Sequence, residues 1–181
     1  MIRYKNRHNK GIALLTSVLI MSVILAIGLS LMTYVVKQLD ISFSTRNSAI
    51  SIYAADAGVE CALLWDIKSY DLYGGPVFAT STGSARAVPG GIGSGPARCF
   101  GRDLASTWEP IIEDAISATT TFNLQFSGSP VYCTRVTVTK FNNGSKIETS
   151  ILSRGYNVPC NQRTTSVNAV ERAIRVDYVF F

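Results

Sequence analysis

The feature that most constrains this chain is an uncharged apolar run from Ile12 to Val36, which contains no Asp, Glu, Lys, Arg, His or Pro. A helix of about 20 apolar residues spans the hydrocarbon core of a bilayer, so a run of this length predicts a membrane-spanning helix. A cleaved secretory signal has a shorter apolar core of roughly 7 to 15 residues, followed by a small-residue cleavage site. The run is longer and ends without such a site, so we interpret it as a single-pass membrane anchor.

Basic residues are concentrated before the anchor. The first ten positions carry four basic side chains and no acidic one: Arg3, Lys5, Arg7 and Lys10. Because Lys and Arg are retained on the cytoplasmic side, the N-terminus is predicted to lie in the cytoplasm and everything after Lys37 outside. Without these four residues the net charge falls from +5 to +1, thirteen basic residues against twelve acidic. The electrostatic footprint of a nucleic-acid-binding protein is missing, so we expect no direct nucleic-acid contact.

Four cysteines lie on the outer side in this topology, where disulfides form and persist: Cys61, Cys99, Cys133 and Cys160. Four cysteines allow three pairings, and small buried thiols are the alternative. We favour Cys61 with Cys99, which would tie a loop to a helix, and Cys133 with Cys160, which would hold a later segment onto a sheet. The spacings resemble no zinc-binding pattern, and the only histidine, His8, lies across the membrane. We therefore predict no metal or cofactor.

Helical character continues beyond the anchor, since no proline occurs before Pro76. We predict one helix from Ile12 to about Asp66, with residues 12–36 in the membrane and residues 37–66 outside it. In the outer part apolar residues recur every seven positions with alanine between them, and we expect them to form a packing stripe: Phe43, Ile50, Ala54, Ala57 and Leu64. The stripe requires a partner surface, either a sheet of the same chain or the same helix in neighbouring subunits.

The remainder, residues 67–181, is predicted to form one globular domain outside the membrane, since the roughly 145 residues after the anchor are the usual size of a domain. Glycine, proline, serine and alanine dominate residues 74–101, which we interpret as an irregular Gly-rich loop. Trp108 to Ala118 is predicted to form a short helix, with Glu109 and Pro110 in its first turn.

The last third of the chain is predicted to form β-strands. Period-two alternation of apolar and polar residues predicts four of them, at 119–126, 131–141, 146–156 and 170–180. The pair Asn143-Gly144 is a strong hairpin signal between the second and third, because both residues tolerate positive φ. Sequential strands favour an antiparallel sheet over residues 119–180, covered by the outer half of the helix. The predicted fold class is therefore α+β, a long N-terminal helix packed on a four-stranded antiparallel sheet.

Two sequence patterns carry a resemblance to a known family. A short basic leader ends in Lys10-Gly11 directly before the apolar helix, and the segment Tyr53-Ala-Ala-Asp-Ala-Gly-Val-Glu60 follows the anchor. The first is similar to the class III signal of prepilins, and the second resembles the Ala-Ala-Glu-Ala-Gly motif of PilX-type minor pilins and related pseudopilins. The chain thus resembles the type IV pilin-like proteins, whose architecture is a long N-terminal helix packed on an antiparallel sheet.

The resemblance implies that prepilin peptidase cleaves between Gly11 and Ile12 and that Ile12 is N-methylated. It also implies a structural role, in which the chain enters the cytoplasmic (inner) membrane and then assembles with other pilin-like subunits into an extracellular type IV pilus or type II secretion-like filament. Major subunits of the family carry a glutamate at the fifth mature position, paired with the amine of an adjacent subunit. Here that position is Thr16, which cannot neutralise a charged amine. This departure favours a minor subunit that primes assembly or lies at the tip.

An enzyme is disfavoured, because no histidine follows Gly11 to build a Ser/His/Asp or Cys/His site. Asp56 and Glu60 share a helix face, but a solvated face is the simpler interpretation. We predict neither catalysis nor a small-molecule substrate. A membrane-anchored tip adhesin or DNA-uptake binding module, with the Gly-rich loop as its contact surface, stays open as the alternative. Deleting residues 83–96 and assaying attachment, transformation and filament number separately distinguishes the two, since loss of filaments alone points to assembly.

Overall fold

The structure is a computed structural model that describes residues 10–73, 77–80, 97–104, 109 and 112–180. The predicted leader before Lys10 and most of the Gly-rich loop lie outside these residues. The chain divides between Thr45 and Arg46 into two units. The described helix and strands are α1 (Lys10–Tyr73), β1 (Arg98–Cys99), β2 (Arg102–Asp103), β3 (Ile112–Glu113), β4 (Ser117–Phe126), β5 (Tyr132–Asn142), β6 (Ile147–Tyr156) and β7 (Glu171–Phe180). A 3₁₀ turn at Cys160–Gln162 lies between β6 and β7.

The helix α1 is continuous from Lys10 to Tyr73, so it passes the predicted end at Asp66. In the first unit every side chain from Ile12 to Thr45 is exposed, whereas in the second unit the helix has a buried face. The sequence after Tyr73 is Gly-Gly-Pro, and glycine and proline are the poorest helix formers. Local sequence therefore allows the helix to continue through Asp66 and disfavours it only after Tyr73.

Four long strands form an antiparallel sheet in the order β4-β5-β6-β7, as predicted. Each strand pairs with the next along the chain. The first two connections are short, and the third, from β6 to β7, spans residues 157–170. Buried and partly exposed residues alternate along β4, so the period-two pattern marks the core face correctly. Together with the long helix this confirms the α+β layout.

The predicted helix over residues 108–118 is wrong for the part that the structure describes. Ile112 and Glu113 form β3, which pairs with the start of β4 through Thr119 and Ala118. The turn between them closes through a hydrogen bond from the Asp114 N–H to the Ser117 carbonyl at 2.7 Å. Capping signals are local and weak, and here the edge of a long strand supplies the segment with hydrogen bonds that a short helix would have made internally.

The hairpin between β5 and β6 forms where Asn143-Gly144 predicts it. Asn142 pairs with Ile147, which leaves a four-residue loop between the strands. Of its residues only Gly144 has a positive φ, at 90°. The side-chain oxygen of Asn142 accepts a hydrogen bond from the Gly144 N–H at 2.9 Å. Asparagine thus supports this turn through its side chain, which offers the backbone a local partner.

The face of α1 that packs on the sheet differs from the predicted stripe. Ala54 is buried and Ala57 packs against the core, but Leu64 is 45% exposed. Ile50 is only half-buried, and Phe43, in the first unit, is 59% exposed. The buried positions instead repeat at three and four residues and are mostly small: Ser51, Ala54, Ala55, Gly58, Val59, Cys61, Ala62 and Asp66. The seven-residue repeat therefore lies at the margin of the buried face, where Ala57 still packs on the core and Leu64 does not.

Small residues are required because α1 lies very close to β5 and β6. A Cβ added to Gly155 of β6 would touch the Ser51 carbonyl oxygen and lie 2.5 Å from the Ala55 nitrogen. On the helix side, a Cβ on Gly58 would lie 2.8 Å from side-chain atoms of Thr134 and Val136. Gly155 thus allows the β6 backbone to approach the helix backbone, and Gly58 allows side chains of the sheet to reach the helix backbone.

We expect Gly155→Ala to destabilise the fold by about 3 kcal/mol, since the new methyl group meets helix backbone that cannot move aside cheaply. Gly128→Ala is the control, because its nearest contact would be an ordinary 3.5 Å to the Pro130 carbonyl oxygen. We expect it to change the stability by no more than about 0.5 kcal/mol. Denaturant unfolding of the full chain in detergent measures both, and equal effects of the two variants would contradict the close approach.

Candidate functional site

The apolar segment of α1 presents only uncharged side chains. By length and composition the helix can cross a membrane. The hydroxyl of Thr16 donates to the carbonyl oxygens of Ile12 and Ala13, each at 3.0 Å. A hydroxyl that is bonded within its own helix is compatible with a lipid environment, because it needs no partner from outside.

The predicted cleavage position lies at the beginning of the described helix. Gly11 and Ile12 belong to the first turn of α1. Ile12 is 65% exposed and is followed by a continuous series of exposed apolar side chains. This surface has a large area and no charge, and it is suited to contact with lipid or with other apolar helices.

The cysteines pair as the sequence favoured among its three possibilities. Cys61 on α1 bonds to Cys99 on β1, with the two Cα atoms 6.0 Å apart. Beside this disulfide the indole N–H of Trp65 donates to the Arg98 carbonyl oxygen at 3.2 Å. The first disulfide therefore fixes the helix to the β1–β2 hairpin.

The second disulfide joins Cys133 of β5 to Cys160, with the two Cα atoms 5.1 Å apart. Cys160 begins the 3₁₀ turn that lies in the connection from β6 to β7. Its backbone N–H also donates to the Gln125 side chain of β4 at 3.3 Å. This connection is thereby held against the strands that precede it.

A buried polar cluster lies where the second half of α1 meets the sheet. Its members are Asp66 of α1, Lys140 of β5 and Tyr178 of β7. The Lys140 ammonium contacts Oδ1 of Asp66, and the side chains of both residues are almost completely buried, at 1% and 0% exposure. The Tyr178 hydroxyl donates to Oδ2 of the same carboxylate at 2.5 Å. One helix residue is thus bound to two different strands.

The strand register explains why these three residues meet. Lys140 is paired with Thr149 on β6, and Thr149 is paired with Tyr178 on β7, so all three lie in one row across the sheet. Neighbouring strands are about 4.8 Å apart, which places Lys140 and Tyr178 roughly 10 Å apart along this row. Asp66 contacts both residues of the row and bridges the distance between them.

Burial governs the protonation of the cluster. Desolvation lowers the pKa of Lys140, and the Asp66 carboxylate acts against that shift. Desolvation and the hydrogen bond to Asp66 raise the pKa of Tyr178 far above the usual value of a phenol. Tyr178 therefore remains a hydrogen-bond donor over the whole physiological pH range, whereas Lys140 loses its proton more easily than a solvated lysine does.

Sequence reasoning missed this cluster, although the signal was present. Lys140 continues the core-facing series of Val136 and Val138 at period two, and Asp66 lies one helical turn after the buried Ala62. A lysine and an aspartate at core positions indicate a buried pair, because a single buried charge is too costly. The two signals are far apart in sequence, and only their tertiary contact makes them one site.

Other sequence-based candidates lie elsewhere. Asp56 and Glu60 are exposed on α1, as expected of a solvated face. Of the Gly-rich loop the structure describes two short pieces, and in them Phe78 is buried and stacks on Phe122 with ring centres 6.0 Å apart. Within the described ranges no group of three or more His, Cys, Asp or Glu side chains could hold a metal ion.

No protein-family model, curated protein or solved structure matches this chain. Two features of the described residues stand out as candidates for function. The first is the exposed apolar segment of α1, and the second is the junction of α1 with the sheet, where Asp66 is bound. The first is suited to contact with lipid or other apolar helices, and the second fixes the later part of α1 to the sheet.

We expect Lys140→Met to destabilise the protein by about 3–5 kcal/mol, because it removes the cation from a buried carboxylate. The control is Lys146→Met, which disrupts the pair of Lys146, in the β5–β6 loop, with Glu148 of β6, whose side chains are exposed to 37% and 47%. Such a surface pair contributes about 0–1 kcal/mol. Thermal unfolding monitored by circular dichroism measures the difference, and a loss below 1 kcal/mol in Lys140→Met would contradict the role of the buried pair.

Proposed function

We propose that this chain is a minor pilin or pseudopilin, a structural subunit of a type IV pilus or type II secretion-like filament. The observation that carries the proposal is the composition of α1. Its first part is uncharged, apolar and exposed from Ile12 to Val36, and its second part packs on an antiparallel sheet through alanine and glycine. A helix of this kind is suited to two successive environments, the bilayer and a bundle of similar helices.

Assembly would use the same apolar surface that contacts lipid. Lipid tails and apolar side chains are equally hydrophobic, so a membrane helix can exchange one for the other without a large loss. Prepilin peptidase would remove the basic leader after Gly11 and leave Ile12 as the N-terminus. The partners are other pilin-like subunits, with the membrane as the first location.

Thr16 supports a minor role within such a filament. Its hydroxyl is bonded to the carbonyl oxygens of Ile12 and Ala13 and carries no charge. A charged amine of a neighbouring subunit in an apolar surrounding needs a carboxylate partner. Without that carboxylate the chain would not add subunits repeatedly in the way of a main filament protein, which fits a priming or tip position.

The mature N-terminus tests the proposal directly. We expect the protein isolated from membranes or filaments to begin at N-methylated Ile12, and Gly11→Leu to retain the leader, because the peptidase requires glycine before the cut. Gly28→Ala is the control glycine, since a Cβ there meets nothing within 4 Å and processing should be normal. Mass spectrometry of the intact chain and its N-terminal peptide measures both. A mature N-terminus other than Ile12 would contradict the proposal.

We expect Thr16→Glu to raise the amount of this chain in filaments several-fold, because it restores the carboxylate that binds a neighbour's amine. Thr16→Ser retains a hydroxyl and should leave the amount unchanged. Quantitative immunoblots of sheared filaments, normalised to the membrane fraction, provide the comparison. If Thr16→Glu and Thr16→Ser are incorporated equally, the explanation of the minor role by Thr16 is wrong.

A further inference from the structure

The buried cluster at the junction of α1 and the sheet brings an amine, a carboxyl group and a hydrogen-bond donor together away from water. Lys140 and Asp66 are in direct contact, and both are almost completely inaccessible to solvent. We propose that Lys140 and Asp66 condense to an isopeptide bond between β5 and α1, with Tyr178 stabilising the charge that develops on the carboxyl oxygen. This inference goes beyond the proposed function, since it requires only the packing of the second unit.

The contact geometry provides the proximity that amide formation needs. Nζ of Lys140 touches Oδ1 of Asp66, so it also lies next to Cγ, to which Oδ1 is bonded. Holding two reacting groups in such contact can correspond to an effective molarity of about 10⁵–10⁸ M. Both groups are fixed by rigid elements, a helix and the centre of a sheet, so their separation is maintained without further ordering.

Reaction requires a neutral amine and a carboxylic acid in place of the ion pair. Transfer of one proton from the ammonium to Oδ1 of Asp66 produces both at once. A low-dielectric interior favours this neutral pair over two separate charges, and desolvation lowers the pKa of Lys140 in the same direction. The proton has no distance to travel, because the two atoms are already in contact.

The step balances without an oxidant, a reductant or a cofactor. The lone pair of Nζ forms a bond to Cγ, and the electron pair of the carbonyl moves to Oδ2. Tyr178 donates its hydrogen bond to Oδ2 at 2.5 Å, so it occupies the position of an oxyanion-hole donor. A second proton then moves from Nζ to the Oδ1 hydroxyl, which leaves as water while Oδ2 forms the carbonyl group of the new amide. Nζ retains its third hydrogen as the amide N–H.

The product would differ from the ion pair in two ways. It contains no buried charge, so the desolvation penalty of the two ions is removed. It also joins α1 to β5 by a bond that reducing agents do not break, unlike the disulfide that joins Cys61 to Cys99. The helix could then not separate from the sheet under tension, even when both disulfides are reduced.

The chain contains a matched pair that should not react. Nζ of Lys146 lies 2.5 Å from Oε1 of Glu148, but the two side chains are exposed to 37% and 47%. Water solvates both groups there and favours hydrolysis over condensation. Contact between lysine and carboxylate is therefore not sufficient, and burial with a fixed donor distinguishes the Lys140 pair.

Mass spectrometry of the full chain tests the proposal. After purification in detergent, reduction and alkylation of the cysteines, trypsin should release residues 47–68, which contain Asp66, covalently joined to residues 136–146, since cleavage after an acylated Lys140 is lost. The joined peptide should be lighter than the sum of its parts by one water, about 18 Da, as a condensation requires. Recovery of residues 47–68 and 136–140 as separate unmodified peptides from folded protein would overturn the proposal.

Variants separate the roles of the residues. Lys140→Arg retains the cation without a nucleophilic amine and should abolish the joined peptide, while Lys146→Arg should leave it at the wild-type level. If the cross-link persists in Lys140→Arg, the assigned amine is wrong. Tyr178→Phe should slow cross-linking after refolding by about 10²-fold or more, the effect of losing one oxyanion donor. An unchanged rate in Tyr178→Phe would overturn the role of the hydroxyl, whereas the wild-type peptide map decides the bond itself even if a variant fails to fold.

Discussion

The packing of α1 on the sheet determines the rest of the second unit. At the crossing point Gly155 leaves the β6 backbone against the helix backbone, and Gly58 leaves room for side chains of β5 and β6 against the helix. Dispersion attraction depends steeply on distance, and a close, void-free contact gains most from it. Polar contacts flank this region on both sides. On one side the Ser51 hydroxyl donates to the Val170 carbonyl oxygen at 2.7 Å. On the other side, further along the helix, the Asp66 carboxylate contacts Lys140 of β5 and Tyr178 of β7.

This arrangement explains how one helix can pack on its own sheet in one part and expose an apolar surface in another. Alanine, glycine and serine bury one face of the second part of α1 against its own sheet, while the apolar side chains of the first part stay exposed. Burial of the first part would be left to lipid or to other subunits, and the exchange of one for the other costs little because both are apolar. Thr16 adds no charge to this surface, and its hydroxyl is bonded to the helix backbone. Any pairing with a neighbour's amine would therefore need a residue from elsewhere.

Sequence patterns predicted the strands well and the helix face poorly, for a physical reason. In a strand the side-chain period is two, so Val136 and Val138 identify the core face without knowledge of the partner strand. On a helix of this length several faces contain apolar residues, and the seven-residue repeat lies at the edge of the buried face, where Ala57 is partly buried and Leu64 is exposed. The segment from Ile112 was mistaken for a helix, since its pairing with β4 depends on a strand edge that local propensity cannot reveal.

The residues alone indicate that an uncharged segment from Ile12 can cross a membrane, that the later strands form an antiparallel sheet, and that the cysteines can pair. These properties follow from composition and short-range periodicity, which act within one element. In contrast, the buried face of α1 and the meeting of Asp66, Lys140 and Tyr178 are visible only once the helix is packed on the sheet. Their contact depends on the register of three strands and on the closeness of the helix, and both are set by packing between residues far apart in the chain.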